Sequence, residues 1–214
     1  MMHSAPQKLV IAIDGPAASG KGTLARRLAR AFNLPYLDTG LLYRAVARRV
    51  LDAGGTAAQD AIAQAQSLNR VDLTRDDLRT PDVDRMASAV ASIAAVRAIL
   101  LDFQRDFATA SGAVLDGRDI GTIVFPDAPV KLYVTASLDV RAARRYAERA
   151  ATGIATTLEA VRDDLAARDE ADRTRAAAPL KPAPDAHRLD TTAMDADHAF
   201  EAAAAIVNRT LAHL

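Results

Sequence analysis

The sequence predicts an α/β fold in which a five-stranded parallel sheet carries helices on both faces. Two patterns lead to this prediction. Short apolar runs alternate along the chain with longer stretches of helical period, which is typical of parallel strands joined by helical crossovers. The runs are apolar throughout rather than alternately polar, as expected for strands that are covered on both faces. A chain of 214 residues, half of them apolar, has enough core-forming side chains for one domain.

The first predicted unit is a strand, a glycine-rich segment and a helix. Residues 9–13 form a continuous apolar run, glycines interrupt the pattern in 15–22, and residues 23–32 carry apolar side chains at helical spacing. Further strands are predicted at residues 34–37, 113–115, 130–134 and 188–190. Further helices are predicted at residues 41–51, 86–107, 138–151, 158–168 and 195–211. Segment 52–84 is more polar and weakly patterned, and we interpret it as an excursion away from the sheet.

Composition excludes several kinds of site. The chain has no cysteine, which rules out disulfides, a thiolate zinc site and a cysteine nucleophile. Its four histidines are scattered, so we expect no metal site built from protein ligands alone. A formal net charge of zero argues against a protein that binds nucleic acid or a membrane surface. No apolar run approaches the roughly 20 residues that span a bilayer. Residues 1–8 lack the apolar core of a signal peptide, and we expect a cytoplasmic protein.

A glycine-rich motif follows the first predicted strand. It matches the pattern G-x-x-x-x-G-K and consists of Gly15, Pro16, Ala17, Ala18, Ser19, Gly20, Lys21, Gly22 and Thr23. A loop that wraps a polyphosphate must point several backbone N–H groups inward, and glycine permits both the dihedral angles and the close approach. The helix behind the loop directs its N-terminal dipole at the same anion. The motif therefore predicts a site for a nucleoside triphosphate.

Two side chains of this loop have expected roles of their own. Lys21 is expected to bridge the β- and γ-phosphates. The strict motif has Ser or Thr directly after the lysine, whereas here Gly22 stands in that position and Thr23 comes next. The Thr23 hydroxyl is therefore the candidate protein ligand for a magnesium ion that accompanies the triphosphate.

A triphosphate loop alone leaves kinases, GTPases, ATPases and inert binding modules open. A switch GTPase needs an N-K-x-D segment that reads guanine, and the sequence has none. Arginines recur instead near the ends of the predicted strands and on the helices, namely Arg44, Arg97, Arg118, Arg168 and Arg175. Ligands bind at the carboxyl ends of parallel strands, and arginine suits bidentate contacts to phosphate. The arginines therefore suggest a second, phosphorylated ligand.

Several blocks of this sequence stand in the order seen in the bacterial cytidylate kinases, and the chain resembles that family from about residue 10 to residue 191. The blocks are residues 15–23, LDTGLLYR at 37–44, Ala87-Ser88 with Val96-Arg97, DGRDIGT at 116–122 with VFPDAP at 124–129, and RDEADRTR at 168–175 with Pro179-Leu180. The blocks around Arg118 and Arg175 are more specific than the phosphate loop, because other nucleoside monophosphate kinases carry different sequences there.

The resemblance implies a P-loop kinase fold and the transfer of the γ-phosphoryl group of ATP to CMP or dCMP, with Mg²⁺. It implies Lys21, Arg118 and Arg168 as catalytic side chains. It implies clamps on the acceptor phosphate at Arg44 and Arg118, readers of the cytosine ring at Thr39, Arg97, Asp119 and Arg175, and contacts to the sugar at Ser88, Arg168 and Asp172. Cytosine has an exocyclic amine that a carboxylate accepts from, whereas uracil has a carbonyl oxygen that a carboxylate repels.

The chain departs from the family pattern in two places. The family usually has Ser where this chain has Thr39, which keeps the hydroxyl and adds a methyl group. The segment 52–84 is shorter than the usual insert, which includes strands of a small antiparallel sheet. The shorter insert leaves the shape of the acceptor-binding part undetermined. The expected roles of its arginines do not depend on that shape.

We expect one P-loop kinase domain over residues 1–214. Its core comprises about 8–51, 98–143 and 170–214, with an acceptor-binding insert at about 52–97 and a lid at about 144–169. The expected partners are the small molecules ATP and CMP or dCMP, with no nucleic acid and no membrane, and the expected state is a monomer. Another P-loop kinase, of UMP/AMP or shikimate type, and a non-catalytic ATP-binding module are the alternatives.

Overall fold

The computed structural model describes residues 8–55, 59–109 and 111–213. Residues 1–7, most of the segment that lacks a signal-peptide core, lie outside the described part. The strands are β1 (Val10–Asp14), β2 (Tyr36–Asp38), β3 (Ala113–Gly117), β4 (Val130–Thr135) and β5 (His187–Asp190). They form one parallel sheet in the order β2-β3-β1-β4-β5, which confirms the predicted five-stranded parallel sheet.

Eight helices of the described chain surround and extend the sheet. They are α1 (Lys21–Ala31), α2 (Thr39–Asp52), α3 (Gln59–Gln66), α4 (Pro81–Ala91), α5 (Ala94–Thr109), α6 (Leu138–Ala151), α7 (Leu158–Thr174) and α8 (Ala196–Leu211). One hydrophobic core packs α2, α4 and α5 against one face of the sheet. A second core packs α1 and α8 against the other face. Helices therefore cover both faces, as predicted.

The sheet register brings three functional segments to one edge. Every residue of β1 and β3 is buried, and Asp14 at the end of β1 pairs with Gly117 at the end of β3. Asp38 at the end of β2 pairs with Asp116. The loop after β1, the start of α2 and the turn after β3 consequently leave the sheet side by side, at the edge where parallel sheets bind ligands.

The predicted single helix over residues 86–107 is wrong, because the chain breaks between α4 and α5 with a bend of 97°. Ser92 and Ile93 lie at the break, and their N–H groups reach back only three residues, to the carbonyls of Ala89 and Val90. The Ser92 hydroxyl also donates to Ala89 O at 2.6 Å and competes with the helical ladder. The bend turns the first turn of α5, which carries Arg97, toward the end of β3.

Two segments contain more helix than the sequence predicts. Segment 52–84, interpreted as a weakly patterned excursion from the sheet, contains α3 and two short 3-10 turns, Arg70–Thr74 and Asp76–Arg79. Asn69 and Asp72 cap the first turn reciprocally, which a search for apolar periodicity does not detect. The helix predicted at 158–168 continues to Thr174, so Asp172 lies on α7.

Within the described residues, no single helix is long and apolar enough to cross a membrane. Helices α4 and α5 meet the criterion only when they are counted together across their 97° bend. Both helices contribute buried side chains to the first core, among them Val90 and Leu100.

Gly112 is expected to be the glycine most sensitive to substitution away from the nucleotide site. Its φ is +77°, and an added Cβ would lie 2.2 Å from Leu9 O, where the chain enters β1. We expect Gly112→Ala to lower the free energy of unfolding by about 2 to 5 kcal/mol, the sum of left-handed strain and overpacking. Urea denaturation followed by circular dichroism measures the change.

Gly54→Ala is the matched control for that variant. Gly54 has a φ of +64°, but no atom lies within 4 Å of the added Cβ. The control retains only the left-handed strain, about 1 to 2 kcal/mol. Equal losses in the two variants would contradict a role for the contact with Leu9.

Candidate active site

The glycine-rich loop between β1 and α1 has the geometry of an anion cradle. Gly15 has a φ of +149°, and a Cβ there would lie 1.9 Å from Val134 O, so only glycine lets β4 approach. Gly20 precedes α1 in the left-handed conformation, and no side chain caps the first N–H groups of the helix. The buried Ser19 hydroxyl has no partner among the described residues. Uncapped donors at a helix N-terminus beside an orphaned hydroxyl fit a phosphate group.

Lys21 and Asp116 are a buried pair of opposite charge beside this loop. The ammonium group of Lys21 donates to Pro16 O at 2.8 Å. Burial and the nearby Arg118 lower the pKa of Lys21, and Asp116 opposes them. Burial and the nearby Asp38 raise the pKa of Asp116. A polyphosphate would favour the charged form of Lys21, since it adds the negative charge that the pocket lacks.

Asp119 lies in a second pocket at the end of β3. It forms an ion pair with Arg97, whose guanidinium also stacks over the ring of Tyr43, 5.4 Å from its centroid. Asp119 is 5% exposed and Arg97 donates in addition to Ala91 O at 3.2 Å. The pocket is a cavity of about 240 Å³ that these three side chains line together with Gln104. It is large enough for a single aromatic ring and has polar groups of both signs.

Arg118 and Asp172 connect the two pockets. Arg118 Nε donates to Asp172 Oδ2 at 2.7 Å, and Asp172 Oδ1 lies 3.5 Å from Arg175 Nη1. Burial alone would raise the pKa of Asp172, but Arg118 and Arg168 outweigh it and hold the pKa below its usual range. Arg175 Nη2 is buried and has no partner among the described residues, so a donor is left for a ligand.

The sequence model of the cytidylate kinases matches residues 11–209 of this chain. The chain belongs to the cytidylate kinase family. A cytidylate kinase of Acidiphilium cryptum is 75% identical over 95% of this chain and 97% of its own length. A cytidylate kinase of Granulibacter bethesdensis is 61% identical over 94% of this chain and 98% of its own length. These relatives confirm the resemblance that the sequence blocks indicate.

A solved structure of low sequence similarity shares the fold. It is an uncharacterized protein from Eubacterium ventriosum, with a TM-score of 0.56, 14% identity, and coverage of 95% of this chain and 99% of that one. At this identity the likeness concerns the architecture alone, which is that of an α/β protein with a parallel sheet.

Most residues that the family resemblance singles out lie together in one cleft of about 680 Å³. The loop residues from Ala17 to Thr23 line it, as do Arg44, Ser88, Arg118 and Arg168. Arg97 and Asp119 line the smaller cavity instead. Asp172 and Arg175 line neither. They link the two, because Asp172 is bonded to Arg118 of the main cleft and Arg175 Nε donates to the O atom of Ala178, which lines the smaller cavity, at 2.8 Å. Thr39 also lines neither, because its hydroxyl is buried and donates to Asp116 O at 2.8 Å.

Two neighbouring arginines of α6 form hydrogen bonds with other residues of the protein. Arg144 donates to Thr191 O at 2.8 Å and to Met194 O at 3.2 Å. Arg145 donates to Asp84 Oδ2 at 2.6 Å and to Glu148 Oε2 at 2.9 Å. Arg145 lines the cleft and Arg144 does not.

Asp84 is the functional candidate that the sequence reasoning missed. It forms ion pairs with Arg44 and with Arg168, the latter at 3.1 Å, on the wall of the main cleft. A signal was present: Asp84 lies on the same helical face as the buried Ala87 and Ala91, where a carboxylate is unusual. This signal does not enter the sequence-based prediction, because the predicted helix begins at residue 86 and Asp84 falls in segment 52–84, whereas α4 begins at Pro81.

Asp14 holds the turn that carries Asp119. Its two carboxylate oxygens accept hydrogen bonds from the N–H groups of Ile120 and Gly121, each at 2.8 Å. These residues begin a π-helical turn, Ile120–Val124, directly after Asp119. Burial raises the pKa of Asp14 to about 6, and the two N–H donors limit the rise. The strand that starts the phosphate loop thereby also fixes the second pocket.

We expect the stability gap between the wild type and Asp14→Asn to depend on pH. Because the folded pKa of Asp14 is raised from 3.8 to about 6, the folded wild type binds more protons than the unfolded chain between these values. The contribution of Asp14 to the free energy of unfolding of the wild type therefore rises as the pH falls through 6. The gap should widen by about 1 to 1.5 kcal/mol between pH 7.5 and pH 5.

Urea denaturation of both proteins at the two pH values measures this difference. Other titrating groups contribute to both proteins and cancel in the comparison. A gap that is the same at both pH values would show that Asp14 ionises at its ordinary pKa in the folded state, and a gap that narrows at pH 5 would show that its folded pKa is lowered.

Proposed function

We propose that this chain is a (d)CMP kinase that transfers the γ-phosphoryl group of ATP to CMP or dCMP, giving CDP or dCDP and ADP. The observation that carries the proposal is the buried Asp119, paired with Arg97 in a ring-sized cavity next to the phosphate-loop cleft. Membership of the cytidylate kinase family supports the same substrates. Both nucleotides are small molecules, and the proposal needs no macromolecular partner.

The cytosine ring is assigned to the smaller cavity. The Asp119 carboxylate accepts from the exocyclic amine of cytosine, and the guanidinium groups of Arg97 and Arg175 donate to its ring acceptors. The unpartnered Nη2 of Arg175 supports this assignment. UMP would turn a carbonyl oxygen toward Asp119 and leave a buried group unpaired, which can discriminate by about 10⁴-fold. Thr39 contributes indirectly, since its hydroxyl bonds to β3 beside Asp119.

The acceptor phosphate and sugar are assigned to the main cleft. Arg44 and Arg118 hold the phosphate, and Ser88, Arg168 and Asp172 face the sugar and its surroundings. Burial together with repulsion from Arg118 and Arg44 lowers the pKa of Arg168 to about 10, which indicates a pocket with an excess of positive charge. Such a pocket attracts the anionic phosphates of two nucleotides.

Phosphoryl transfer here runs on positioning and charge neutralisation, so no protein nucleophile is needed. An oxygen of the acceptor phosphate attacks the γ-phosphorus of ATP in line with the leaving oxygen of ADP. Lys21, Arg118 and Arg168 offset the negative charge on the transferring group. The backbone of residues 15–23 holds the triphosphate in place.

Magnesium fits the phosphate loop as a companion of ATP. No group of three or more acidic or histidine side chains among the described residues is placed to hold a metal ion alone, so most ligands must come from phosphates and water. Thr23 and Asp116 line the cleft and supply oxygen atoms of the type that Mg²⁺ prefers. When bound, the ion neutralises charge on the β- and γ-phosphates.

We further propose that residues from about 52 to 97 act as an acceptor-binding insert and residues from about 144 to 169 as a lid, on a core of about residues 8–51, 98–143 and 170–214. The insert carries Ser88 and Arg97, and the helices on either side of 152–157 pack on the phosphate loop through Ala17. Closure of both segments would exclude water, which otherwise hydrolyses ATP.

The substrate assignment predicts a marked choice among nucleoside monophosphates. We expect rapid ADP formation from ATP with CMP and dCMP, and slow formation with AMP, UMP and GMP, because only cytosine satisfies both Asp119 and the arginines. A coupled ADP assay with each nucleotide measures this. Faster turnover with AMP than with CMP would refute the proposal.

Asp119→Ala is expected to weaken base choice more than ATP binding. We expect kcat/KM for CMP to fall by about 10²-fold or more and the CMP-to-UMP ratio to approach one, since one buried hydrogen-bond partner of the amine is lost. The KM for ATP should change little. Steady-state kinetics with both acceptors provides the measurement.

Asp102→Ala is the matched control, because Asp102 is an exposed carboxylate on α5, the helix that carries Arg97. We expect its kinetic constants to equal those of the wild type. An unchanged preference for CMP over UMP in Asp119→Ala would remove Asp119 from the base-reading role.

A further inference from the structure

Asp84 lies where arginines from three helices converge. Its Oδ1 atom contacts Arg44 of α2 and lies 3.1 Å from Arg168 Nη1 of α7. Its Oδ2 atom lies 2.6 Å from Arg145 Nη2 and 3.9 Å from Arg149 Nη2, both of α6. The Asp84 residue is only 9% exposed. One carboxylate therefore serves as the common counter-ion of four guanidinium groups.

The charge balance of this cluster is uneven. Burial alone would raise the pKa of Asp84, but Arg44, Arg145 and Arg168 outweigh it and hold the pKa below its usual range. Asp84 is thus ionised at neutral pH. Glu148 pairs with Arg145 at 2.9 Å and Asp164 with Arg149 at 3.2 Å, so three carboxylates face four guanidinium groups and one positive charge is in excess. The excess positive charge attracts phosphate. The Asp84 carboxylate offsets the electrostatic repulsion between the arginines and holds them together.

The cluster joins the two halves of the main cleft. Arg44, on α2, lies on the acceptor side of the cleft. Its guanidinium also donates to Leu78 O at 2.8 Å, within the acceptor-binding insert. Arg145 and Arg168 belong to the helix pair that packs against the phosphate loop. All three line the same cleft as Lys21.

Asp84 itself is firmly held. On α4 its neighbours Val83, Ala87 and Val90 are buried in the first hydrophobic core. The carboxylate is therefore a fixed point, and the long arginine side chains are the parts whose rotamers it restricts. Fixing the rotamer of an arginine side chain costs conformational entropy. Where the protein has not already fixed the rotamer, the cost reduces the affinity of the ligand.

We propose that Asp84 is a positioning residue for phosphoryl transfer, whose carboxylate ties Arg44 and Arg168, both assigned above to the acceptor, to Arg145 on the helix that packs against the phosphate loop, and so couples the two nucleotide sites. An acceptor phosphate that engages Arg44 fixes one member of the cluster. Through Asp84 this restricts Arg145 before the triphosphate arrives, and the second ligand then binds with less ordering. The inference rests on the proposed kinase function.

The test compares Asp84→Asn with Asp82→Asn. Asp82 lies on the same helix, is half exposed, and pairs with Arg48 at 3.4 Å outside the cleft. Isothermal calorimetry gives the Kd of CMP with and without a non-hydrolysable ATP analogue. We expect the analogue to tighten CMP binding about 5-fold or more in the wild type and in Asp82→Asn. In Asp84→Asn the ratio should fall to about one, and kcat should fall about 10-fold or more.

Equal ratios in the wild type and in a folded Asp84→Asn variant would overturn the proposal, as would a wild-type ratio of one. If Asp84→Asn does not fold, as judged by circular dichroism, Asp84→Glu takes its place, since it keeps the charge and shifts the carboxylate by one methylene group. The ratio should then fall below that of the wild type, because the displaced carboxylate no longer holds the guanidinium groups in the same positions, and an unchanged ratio would overturn the positioning role of Asp84. A wild type that does not turn over CMP would instead refute the proposed function, which is a separate result.

Discussion

The constraint on which the rest of the site depends is the burial of charge at one edge of the sheet. A nucleotide site at the carboxyl ends of parallel strands needs cations to hold phosphates, and the helices around it remove them from water. Taking an ion out of water costs several kcal/mol unless it is paired. The chain meets this cost locally: Arg97 pairs with Asp119, Arg118 with Asp172 and Arg44 with Asp84.

This pairing explains why a phosphate-binding protein has a formal net charge of zero. Each arginine at the site that is assigned to a nucleotide contact already has a carboxylate beside it, so the attraction for phosphate is local and does not extend over the surface. The carboxylates also restrict the arginine rotamers, because a guanidinium held in a close ion pair has few alternative positions. A chain whose net charge is zero therefore has an ordered, strongly positive cleft.

The sequence predicts the parts of the fold that local signals determine. The apolar runs of β1 and β4 and the glycines of residues 15–22 specify strand and loop from their own chemistry, and α6 has the predicted bounds of 138–151. The break at Ser92 was not predicted, because Val90, Ile93 and Val96 continue a helical period across it. The 3-10 turn after Asn69 depends on a reciprocal cap instead of apolar spacing, so a periodicity search passes over it.

The residues of the site also differ in whether a local sequence signal identifies them. Lys21 belongs to a contiguous motif and is recognised from sequence, and the proposed roles of Arg118 and Asp119 follow from a family block. Asp84 has no such motif, since its partners lie 40 to 84 positions away on α2, α6 and α7. Such a residue is defined only by tertiary contacts. Its placement between the two halves of the cleft means that the contacts hardest to foresee from sequence are those on which the proposed coupling of the two nucleotide sites depends.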